Sequence, residues 1–397
     1  MDNAANINTH AGEHGVTLDL LDFCKGLAIL WVMLVHARHR WFGWQGVHIF
    51  VVLSGFTLTY ACRIKNTTTW KAWYLRRAER ILPTYWLVAI IGFLLVLILG
   101  MVAPQENYPL IFSQQVWRLF ADLSFLRNFF YKTMLADPNS ALWFIGLTVG
   151  FYLAFPFLYK TLSKSESARS ILLFVCALSL IEFIYRAVAV YFLDGAPVGF
   201  GHGFMKSAGR PPSAMQEINQ NFPFQLWAPF GIFISRIGEY AVGMAAAIWL
   251  TDDAGKFNRL LFNPWSFLAG LAVWLGGNAL VYAGRWGWII ADWVIAVGLM
   301  VWVINLARAV RRFVPPLFRQ MSKLGVWSYY LFLTHLLVGY TAARLYKLWS
   351  HSIATALLMV LIALASIVAA CLLLRRFDGS KWPKIIVGRS VGAFLKS

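Results

Sequence analysis

Stretches of about 20 apolar residues recur along the chain, and their number constrains the fold more than any other feature of the sequence. A helix that crosses the hydrocarbon core of a bilayer needs about 20 residues, because each residue rises about 1.5 Å. Ten such stretches lie at residues 18–37, 44–62, 81–102, 139–160, 170–193, 227–250, 264–283, 287–308, 325–343 and 353–374. The sequence therefore predicts an all-α integral membrane protein, a bundle of about ten transmembrane helices.

The composition supports a membrane environment. Hydrophobic residues make up 59% of the 397 residues and charged residues 13%, whereas about a quarter of a soluble domain is charged. The net charge of +18 would suggest nucleic acid as a partner of a soluble chain, but here we attribute it to the positive-inside rule. The 4 cysteines are widely spaced without a Cys-x-x-Cys motif, so we expect neither a disulfide framework nor a metal site.

Basic residues are distributed unequally between the loops on the two sides of this bundle. One set of loops carries 22 Lys and Arg residues and lies at 63–80, 160–169, 251–263, 307–323 and beyond residue 374. The other set carries 10 and lies at 38–43, 103–138, 194–226, 284–286 and 344–352. The positive-inside rule places the richer set in the cytoplasm, and both termini with it.

This topology divides the chain into three regions. Residues 1–17 form a polar tail, residues 18–374 the membrane domain, and residues 375–397 a basic cytoplasmic tail. Segment 117–135 is amphipathic and charged, which predicts an interfacial or re-entrant segment. Loop 194–226 is rich in Gly, Pro and Asn, which predicts an irregular outward-facing lid or acceptor platform.

The first predicted helix carries three polar side chains, Asp22, Lys25 and His36. Lys25 and His36 are 11 residues apart, or three helical turns, so they share one face about 16 Å apart along the axis. Asp22 lies one turn before Lys25 and can pair with it. Ionisable groups in a membrane are candidates for function, and an imidazole can take a proton from a sugar hydroxyl at neutral pH. The alternative for His36 is a buried histidine bonded to a neighbouring helix.

Arg77 and Arg80 lie in the basic loop at residues 63–80. If this segment is helical, their spacing places both guanidinium groups on one face, where they suit the phosphates of a ligand. The alternative is that the loop is basic only because it faces the cytoplasm. Pro83 is expected at the start of the third membrane helix, since proline fits a first helical turn.

Two further pairs of charges fall within the predicted helices. Glu182 and Arg186 are four residues apart, and Arg236 and Glu239 are three apart. Both spacings bring the side chains together on one helix face. We expect structural ion pairs between bundle helices at both places.

Two other ionisable residues in the apolar segments have less distinctive surroundings. His335 lies in the sequence WSYYLFLTHLLV. This sequence is equally compatible with a histidine in the core and with a histidine in a functional site. Asp292 follows Arg285 at a predicted helix start. We expect Asp292 near Arg285 at the outer interface, in a structural role.

Three segments match the signature motifs of one family. Residues 21–28 read LDFCKGLA and are followed by His36, and residues 46–56 read GVHIFVVLSGF. Residues 77–83 read RAERILP, an Arg-x-x-Arg-Ile-x-Pro pattern. Together they resemble the acyltransferase 3 family of bacterial membrane acyltransferases, and the resemblance extends over most of residues 18–374.

The resemblance is looser after the first third of the chain. Later segments that look similar lie at residues 142–144, 151–156, 236–244, 328–329 and 334–335. Two positions depart from the family pattern: an acidic residue of the second span is His48 here, and an acidic pair of the fourth span is Thr148-Val149. Roles of those carboxylates are therefore not transferred to this chain.

The resemblance implies transfer of an acyl group, usually acetyl, from cytoplasmic acyl-CoA to a hydroxyl of an extracytoplasmic or lipid-linked glycan, in the bacterial inner membrane. On this interpretation His36 is a general base or a transient acyl carrier. Acetyl-CoA, the acyl donor, is bound by Lys25, Arg77 and Arg80. The supporting polar residues are Asp22, Ser54, Arg236, Glu239 and His335. Expected partners are the glycan acceptor, membrane lipids and a second copy of the chain, without metal or nucleic acid.

A transporter or flippase for a lipid-linked sugar or polysaccharide precursor is the alternative function. Such a protein would also need buried charges and an outward platform. Transporters often contain inverted repeats and broken helices in corresponding halves, and the sequence has no internal repeat. A non-catalytic subunit for polysaccharide export is a third, weaker interpretation.

Overall fold

The computed structural model describes residues 2–36, 42–65, 69–102, 108–129, 133, 138–164, 167–191, 231–346 and 352–390. Only the backbone is described for residues 2–17, 42, 101–102, 108–111 and 285. All regular secondary structure in this part of the chain is helical, which confirms the predicted all-α class.

Thirteen α-helices lie within the described residues. They are α1 (Asp2–His36), α2 (Gly46–Lys65), α3 (Trp70–Val102), α4 (Tyr108–Leu123), α5 (Trp143–Leu162), α6 (Ala168–Tyr191), α7 (Ile237–Asp252), α8 (Ala254–Leu261), α9 (Pro264–Val281), α10 (Arg285–Phe313), α11 (Pro315–Tyr346), α12 (Ile353–Asp378) and α13 (Trp382–Ser390). Short 3-10 turns at Phe42–Gln45, Arg127–Phe129, Ser140–Leu142 and Phe233–Arg236 connect some of them.

Local capping signals explain where several helices begin. The Asn263 side chain accepts a hydrogen bond from the backbone N–H of Ser266, and Pro264 occupies the first turn of α9. Ser352 and Thr355 form a reciprocal capping box at the start of α12. Both arrangements satisfy backbone N–H groups that a helix start leaves without partners.

Eight helices of the described residues are long and apolar enough to cross a membrane. These segments are Gly43–Lys65, Trp70–Gly100, Ser140–Leu162, Ala168–Tyr191, Phe233–Asp252, Pro264–Val281, Trp286–Phe313 and Ile353–Asp378, and they coincide with eight of the ten predicted spans. The other two predicted spans, 18–37 and 325–343, lie in the more polar α1 and α11, which are also helical. The cytoplasmic placement of both termini stays a prediction.

Two sequence-based boundaries differ from the structure. Pro83 does not begin a helix, because α3 begins at Trp70 and holds Pro83 in its interior. The part of the basic loop from Trp70 onward and the third span thus form one continuous helix, in which Pro83 costs one backbone hydrogen bond. The predicted amphipathic segment 117–135 is also divided, since α4 ends at Leu123 and a 3-10 turn follows at Arg127–Phe129.

Both predicted tails contain helical residues, whereas the large predicted loop is not described. The backbone of the predicted polar tail, residues 2–17, is helical and continuous with α1. At the other end, α12 continues to Asp378 and α13 covers Trp382–Ser390. Loop 194–226 lies outside the described residues.

The chain divides into two compact units, the first comprising Met1–Thr67, Leu153–Phe222 and Leu226–Ser328. In this first unit α2 and α7 cross at very short range. A Cβ atom on Gly55 would lie 2.2 Å from the Tyr240 carbonyl oxygen, and one on Gly243 would lie 1.9 Å from that of Val52. Only glycine permits this approach at both positions, and it brings the polar residues of the two helices together.

The second unit comprises Thr68–Tyr152, Pro223–Gln225 and Tyr329–Ser397. Here α4 packs along α3, and side chains of α3 satisfy carbonyl groups at the end of α4. The Tyr85 hydroxyl donates to the Asp122 carbonyl oxygen at 2.8 Å, and the Trp86 indole N–H donates to that of Leu123 at 3.2 Å. These bonds fix the end of α4 and the turn that follows.

Candidate functional site

His36 is the last residue of α1, and its side chain is accessible. Its Nδ1 atom lies 2.7 Å from the carbonyl oxygen of Val32, one turn earlier. Because a carbonyl oxygen only accepts hydrogen bonds, Nδ1 carries the proton in this contact, and the lone pair of the neutral ring is on Nε2. The helix therefore holds the imidazole in the tautomer whose basic atom is Nε2.

Lys25 and Asp22 form the predicted pair on the same helix. The Lys25 Nζ atom lies 2.9 Å from Asp22 Oδ1, and both side chains are partly accessible. Since α1 is unbroken from these residues to His36, the predicted three-turn spacing along one face is confirmed.

Arg77 and Arg80 both lie on α3, in the second unit, so their predicted helical spacing is confirmed. The Arg77 guanidinium lies 5.7 Å from the ring centroid of Trp73 and is close enough to the Tyr152 hydroxyl to interact with it electrostatically. Arg80 is close enough to Tyr152 and Tyr329 to interact with them electrostatically. Aromatic rings and phenol groups thus surround the two guanidinium groups.

A polar cluster fixes the elements around Arg80. The Tyr330 hydroxyl donates to Asp378 Oδ2 at 2.8 Å, and the Thr84 hydroxyl donates to the other oxygen of the same carboxylate. The Tyr329 hydroxyl donates to the Ile81 carbonyl oxygen at 3.0 Å. These contacts hold α3, the second half of α11 and the end of α12 together, and no pattern in the sequence predicts them.

A buried charge network joins the helices of the first unit. Its members are His48, Glu182, Arg186, Arg236, Glu239 and Asp292, none of which is more than 5% exposed. They come from α2, α6, α7, α10 and the 3-10 turn before α7. Two arginines and one histidine therefore face three carboxylates within the helical core.

One half of this network crosses from α2 to α7. The Nδ1 atom of His48 lies 2.9 Å from Glu239 Oε2, and Arg236 Nη1 lies 3.0 Å from Glu239 Oε1. The Nε2 atom of His48 lies 3.7 Å from Asp292 Oδ1. His48, the departure from the family pattern, is therefore placed between two carboxylates.

The other half is arranged around Arg186. Its Nη2 atom donates to Asp292 Oδ2 at 2.7 Å, and its other donors reach the carbonyl oxygens of Ser235 and Trp288. Glu182 accepts a 2.8 Å hydrogen bond from the backbone N–H of Gly238. Buried charges need such partners, because leaving one unpaired in the core costs about 3–5 kcal/mol.

The structure changes the interpretation of these charges in two ways. The predicted Glu182–Arg186 and Arg236–Glu239 pairs exist, with nitrogen–oxygen distances of 3.4 and 3.0 Å, but they belong to one network. The expectation of an interfacial Asp292 is wrong. Asp292 lies two helical turns beyond Arg285, which places it about 10 Å deeper along α10 and in contact with Arg186.

The remaining predicted residues lie in less polar surroundings. Ser54 is half-buried on α2. His335 is 6% exposed on α11, and its Nδ1 atom lies 2.9 Å from the Leu331 carbonyl oxygen. Thr148, where the family pattern is acidic, donates to the Phe144 carbonyl oxygen at 2.8 Å within α5. Thr148 therefore satisfies its hydroxyl within its own helix.

Another buried ion pair was not found by sequence reasoning. Arg127 and Asp122 are 4% and 8% exposed, and their side chains meet at 2.9 Å after the chain reverses beyond α4. The available signal was the spacing of Gln115, Arg118 and Asp122, which places three polar residues on one face of a helix.

Long apolar helices with ionisable groups buried between them define a polytopic membrane protein with polar sites in its core. The acyltransferase 3 family, described as an acyltransferase domain, matches residues 18–376. The chain belongs to this family.

Three curated relatives match part or most of the chain. The peptidoglycan O-acetyltransferase OatA of Listeria monocytogenes is 24% identical over 42% of this chain and 28% of its own length. The putative peptidoglycan O-acetyltransferase YrhL of Bacillus subtilis is 26% identical over 45% of this chain and 30% of its own. The acyltransferase MdmB of Streptomyces mycarofaciens is 24% identical over 82% of this chain and 78% of its own.

The chain therefore spans less than a third of the two peptidoglycan relatives and about four-fifths of the third. No solved structure matches the chain.

Proposed function

We propose that this protein is a membrane O-acyltransferase that moves an acetyl group from acetyl-CoA to a hydroxyl of an extracytoplasmic or lipid-linked glycan. Membership of the acyltransferase 3 family supports acyl transfer, and two relatives named as peptidoglycan O-acetyltransferases support a glycan acceptor. We place the protein in the bacterial inner membrane, with the donor supplied from the cytoplasm.

His36 is the proposed catalytic residue. The observation that supports this role is the hydrogen bond from its Nδ1 to the Val32 carbonyl oxygen, which leaves Nε2 as the basic atom. A sugar hydroxyl is a weak nucleophile at neutral pH, so its attack on a thioester gains from a positioned base. The accessible position of His36 at the end of α1 suits contact with a substrate.

The proposed reaction transfers the acetyl group from the thioester to the acceptor hydroxyl in a single step. As the acceptor oxygen forms a bond to the thioester carbonyl carbon, Nε2 of His36 takes the hydroxyl proton. The carbon–sulfur bond then breaks, and the proton passes to the departing sulfur, so that CoA leaves as a thiol. In the alternative route, Nε2 itself attacks the thioester carbonyl carbon, the carbon–sulfur bond breaks and CoA leaves as a thiolate. The acceptor hydroxyl then attacks the acyl-imidazole, the carbon–nitrogen bond breaks, and the hydroxyl proton passes to the thiolate.

Arg77, Arg80 and Lys25 are the proposed contacts of acetyl-CoA. Guanidinium groups bind phosphates through paired hydrogen bonds, and the Trp73 ring and the Tyr152 hydroxyl hold Arg77 in place. Lys25, paired with Asp22 on the face of α1 that leads to His36, is proposed to line the path of the donor.

Purified full-length protein, acetyl-CoA labelled on the acetyl group, and soluble peptidoglycan fragments test this function. The proposal predicts labelled ester on the glycan and release of free CoA thiol in equal amounts. Movement of a lipid-linked sugar across a vesicle membrane without ester formation would instead support the transporter interpretation and contradict the proposal.

A further inference from the structure

A small cavity in the second unit is surrounded by polar side chains that the proposed reaction does not use. It lies between α3, α4 and the start of α5 and has a volume of about 20 Å³. Its polar lining residues are Gln115, Arg118, Asp122, Arg127 and Asn139. A space of this size holds a single water molecule or hydroxyl group.

Helix α4, which lines this cavity, has its apolar face outward and its polar face inward. A surface helix of a soluble protein has the reverse arrangement. The outward face of α4 carries the exposed apolar side chains Phe112, Val116, Trp117 and Phe120. Its inward face carries Gln115, Arg118 and Asp122, and Gln115 is only 6% exposed. A helix that turns its polar face inward needs polar contacts inside, because burying polar groups without partners is costly.

The turn after α4 contains a strained residue, and this turn brings Arg127 into the wall of the cavity. Phe125 has a φ angle of 60°, in the left-handed region that costs a non-glycine residue about 1 kcal/mol or more. Its ring stacks on Tyr85 at 5.2 Å, which stabilises the turn. The reversal brings Arg127 back to Asp122, where the two side chains pair at 2.9 Å. The strained conformation of Phe125 therefore places the Asp122–Arg127 pair in the cavity wall.

Asn139 supplies a hydrogen-bond acceptor in the same wall. Its Nδ2 atom donates to the Leu333 carbonyl oxygen at 2.7 Å, and since that oxygen can only accept, the orientation of the amide is fixed. Its Oδ1 atom is buried and has no hydrogen-bond partner among the described residues. Asn139 is 2% exposed, and a hydroxyl group or a water molecule in the cavity would satisfy this oxygen.

The size of the cavity and the mixture of donors and acceptors in its wall indicate a hydroxyl group as the ligand. Burial raises the pKa of Asp122 to about 6, although Arg127 and Arg118 lower it. Asp122 and Arg127 pair with each other, so the wall offers both donors and acceptors around an apolar surface of Val88, Ala89 and Phe93. A hydroxyl group, which donates and accepts at once, matches this combination and the size of the space, whereas a phosphate is too large for a cavity that holds one water molecule.

We propose that this cavity is an acceptor subsite that binds one hydroxyl of the glycan, with Asn139 Oδ1 and the Asp122–Arg127 pair as its hydrogen-bonding groups. The proposal rests on the proposed glycan O-acyltransferase function and extends it to a second set of residues. The hydroxyl held here is bound and is not the one that is acylated.

Gly92 offers a way to fill the cavity without disturbing its wall. A Cβ atom added at Gly92, which lines the cavity, would lie 3.5 Å from Pro138 Cγ and 3.6 Å from Leu337 Cδ1, both ordinary contact distances. A Cβ atom added at Gly339 on α11 meets no described atom within 4 Å. Gly339→Ala is therefore a matched control for Gly92→Ala, with the same change of side chain in a helix.

The test measures binding of soluble peptidoglycan fragments to full-length protein by calorimetry, and acetyl transfer at varied fragment and acetyl-CoA concentrations. We expect Gly92→Ala and Asp122→Asn to weaken fragment binding about tenfold, the loss expected for one hydrogen bond. The KM for acetyl-CoA should not change in either variant, and Gly339→Ala should behave like the wild type.

If Gly92→Ala and Asp122→Asn both bind the fragments like the wild type, the cavity holds only water and the subsite is refuted. Should Gly92→Ala fail to fold, Asp122→Asn and Gln115→Met decide the question by the same measurement. A wild-type protein that binds the fragments but transfers no acetyl group would refute the proposed function while the binding data still decide the subsite.

Discussion

The Oδ2 atom of Asp292 lies 2.7 Å from Nη2 of Arg186, and the two buried side chains join α10 to α6. Arg236 Nη2 lies 3.4 Å from the same carboxylate oxygen. Asp292 is therefore the carboxylate that both arginines of the network share, which makes it the most informative position in the network.

Asp292→Asn should destabilise the folded protein by about 3–5 kcal/mol, because it leaves two buried guanidinium groups without their shared counter-charge. Thermal unfolding in detergent measures the change. The control is Asp252→Asn, which removes the carboxylate of the exposed Arg63–Asp252 pair and should cost less than about 1 kcal/mol. Equal unfolding temperatures for the two variants would show that the network contributes no stability.

The fold was more predictable than the network because the two depend on different information. Apolar stretches such as 264–283 determine a membrane helix locally, and α9 begins at Pro264 as expected. The network depends on which helices cross, and the Gly55–Gly243 crossing that aligns His48 with Glu239 has no local signature. Ionisable residues in apolar spans correctly indicated buried polar sites. Their partners lie on other helices and could not be predicted from local sequence.

The candidate site shows the same division. The Asp22–Lys25 pair and the helical spacing of Arg77 and Arg80 follow from local periodicity, and the structure confirms them. The Asp122–Arg127 pair depends instead on a left-handed residue, Phe125, which sequence patterns do not predict for a phenylalanine. Phe125 adopts this conformation because surrounding tertiary contacts support it.

The topology predicts different labelling from the two sides of the membrane. In a background without the native cysteines, Ser207→Cys in loop 194–226 should react with a membrane-impermeant thiol reagent added to intact cells. Lys71→Cys, in the basic segment 63–80, should react only after the membrane is opened. Labelling of both from outside would contradict the cytoplasmic placement of the basic loops and the proposed route of the donor.

Arg77→Ala and Arg80→Ala should each raise the KM for acetyl-CoA about 10- to 100-fold, the range expected for losing charge-assisted hydrogen bonds to a phosphate. Lysine at either position should restore little of the affinity for acetyl-CoA, because an ammonium group cannot form the paired hydrogen bonds of a guanidinium. Arg76→Ala removes an equal charge from the same helix and serves as the control. If all three alanine variants behave alike, the arginines act only as topology signals.

Two groups should titrate separately in the pH profile. Protonation of His36 removes the base, so kcat should fall at acidic pH. Burial raises the pKa of Asp122 to about 6, so its carboxylate is lost below that pH and the KM for the glycan should rise. Asp122→Asn should abolish the pH dependence of KM between pH 5 and 7, a range set by that pKa, while the fall in kcat remains. Loss of both pH effects in this variant would contradict the separate roles.

The rate of acetyl transfer by His36→Ala, measured beside its binding of acetyl-CoA, tests the catalytic role of His36. If His36 is the base or the transient acyl carrier, transfer should fall by at least about 100-fold while acetyl-CoA binding stays near that of the wild type. His39→Ala, which removes another imidazole three residues later in the sequence, should be much milder. Near-normal transfer by well-folded His36→Ala protein would contradict the account.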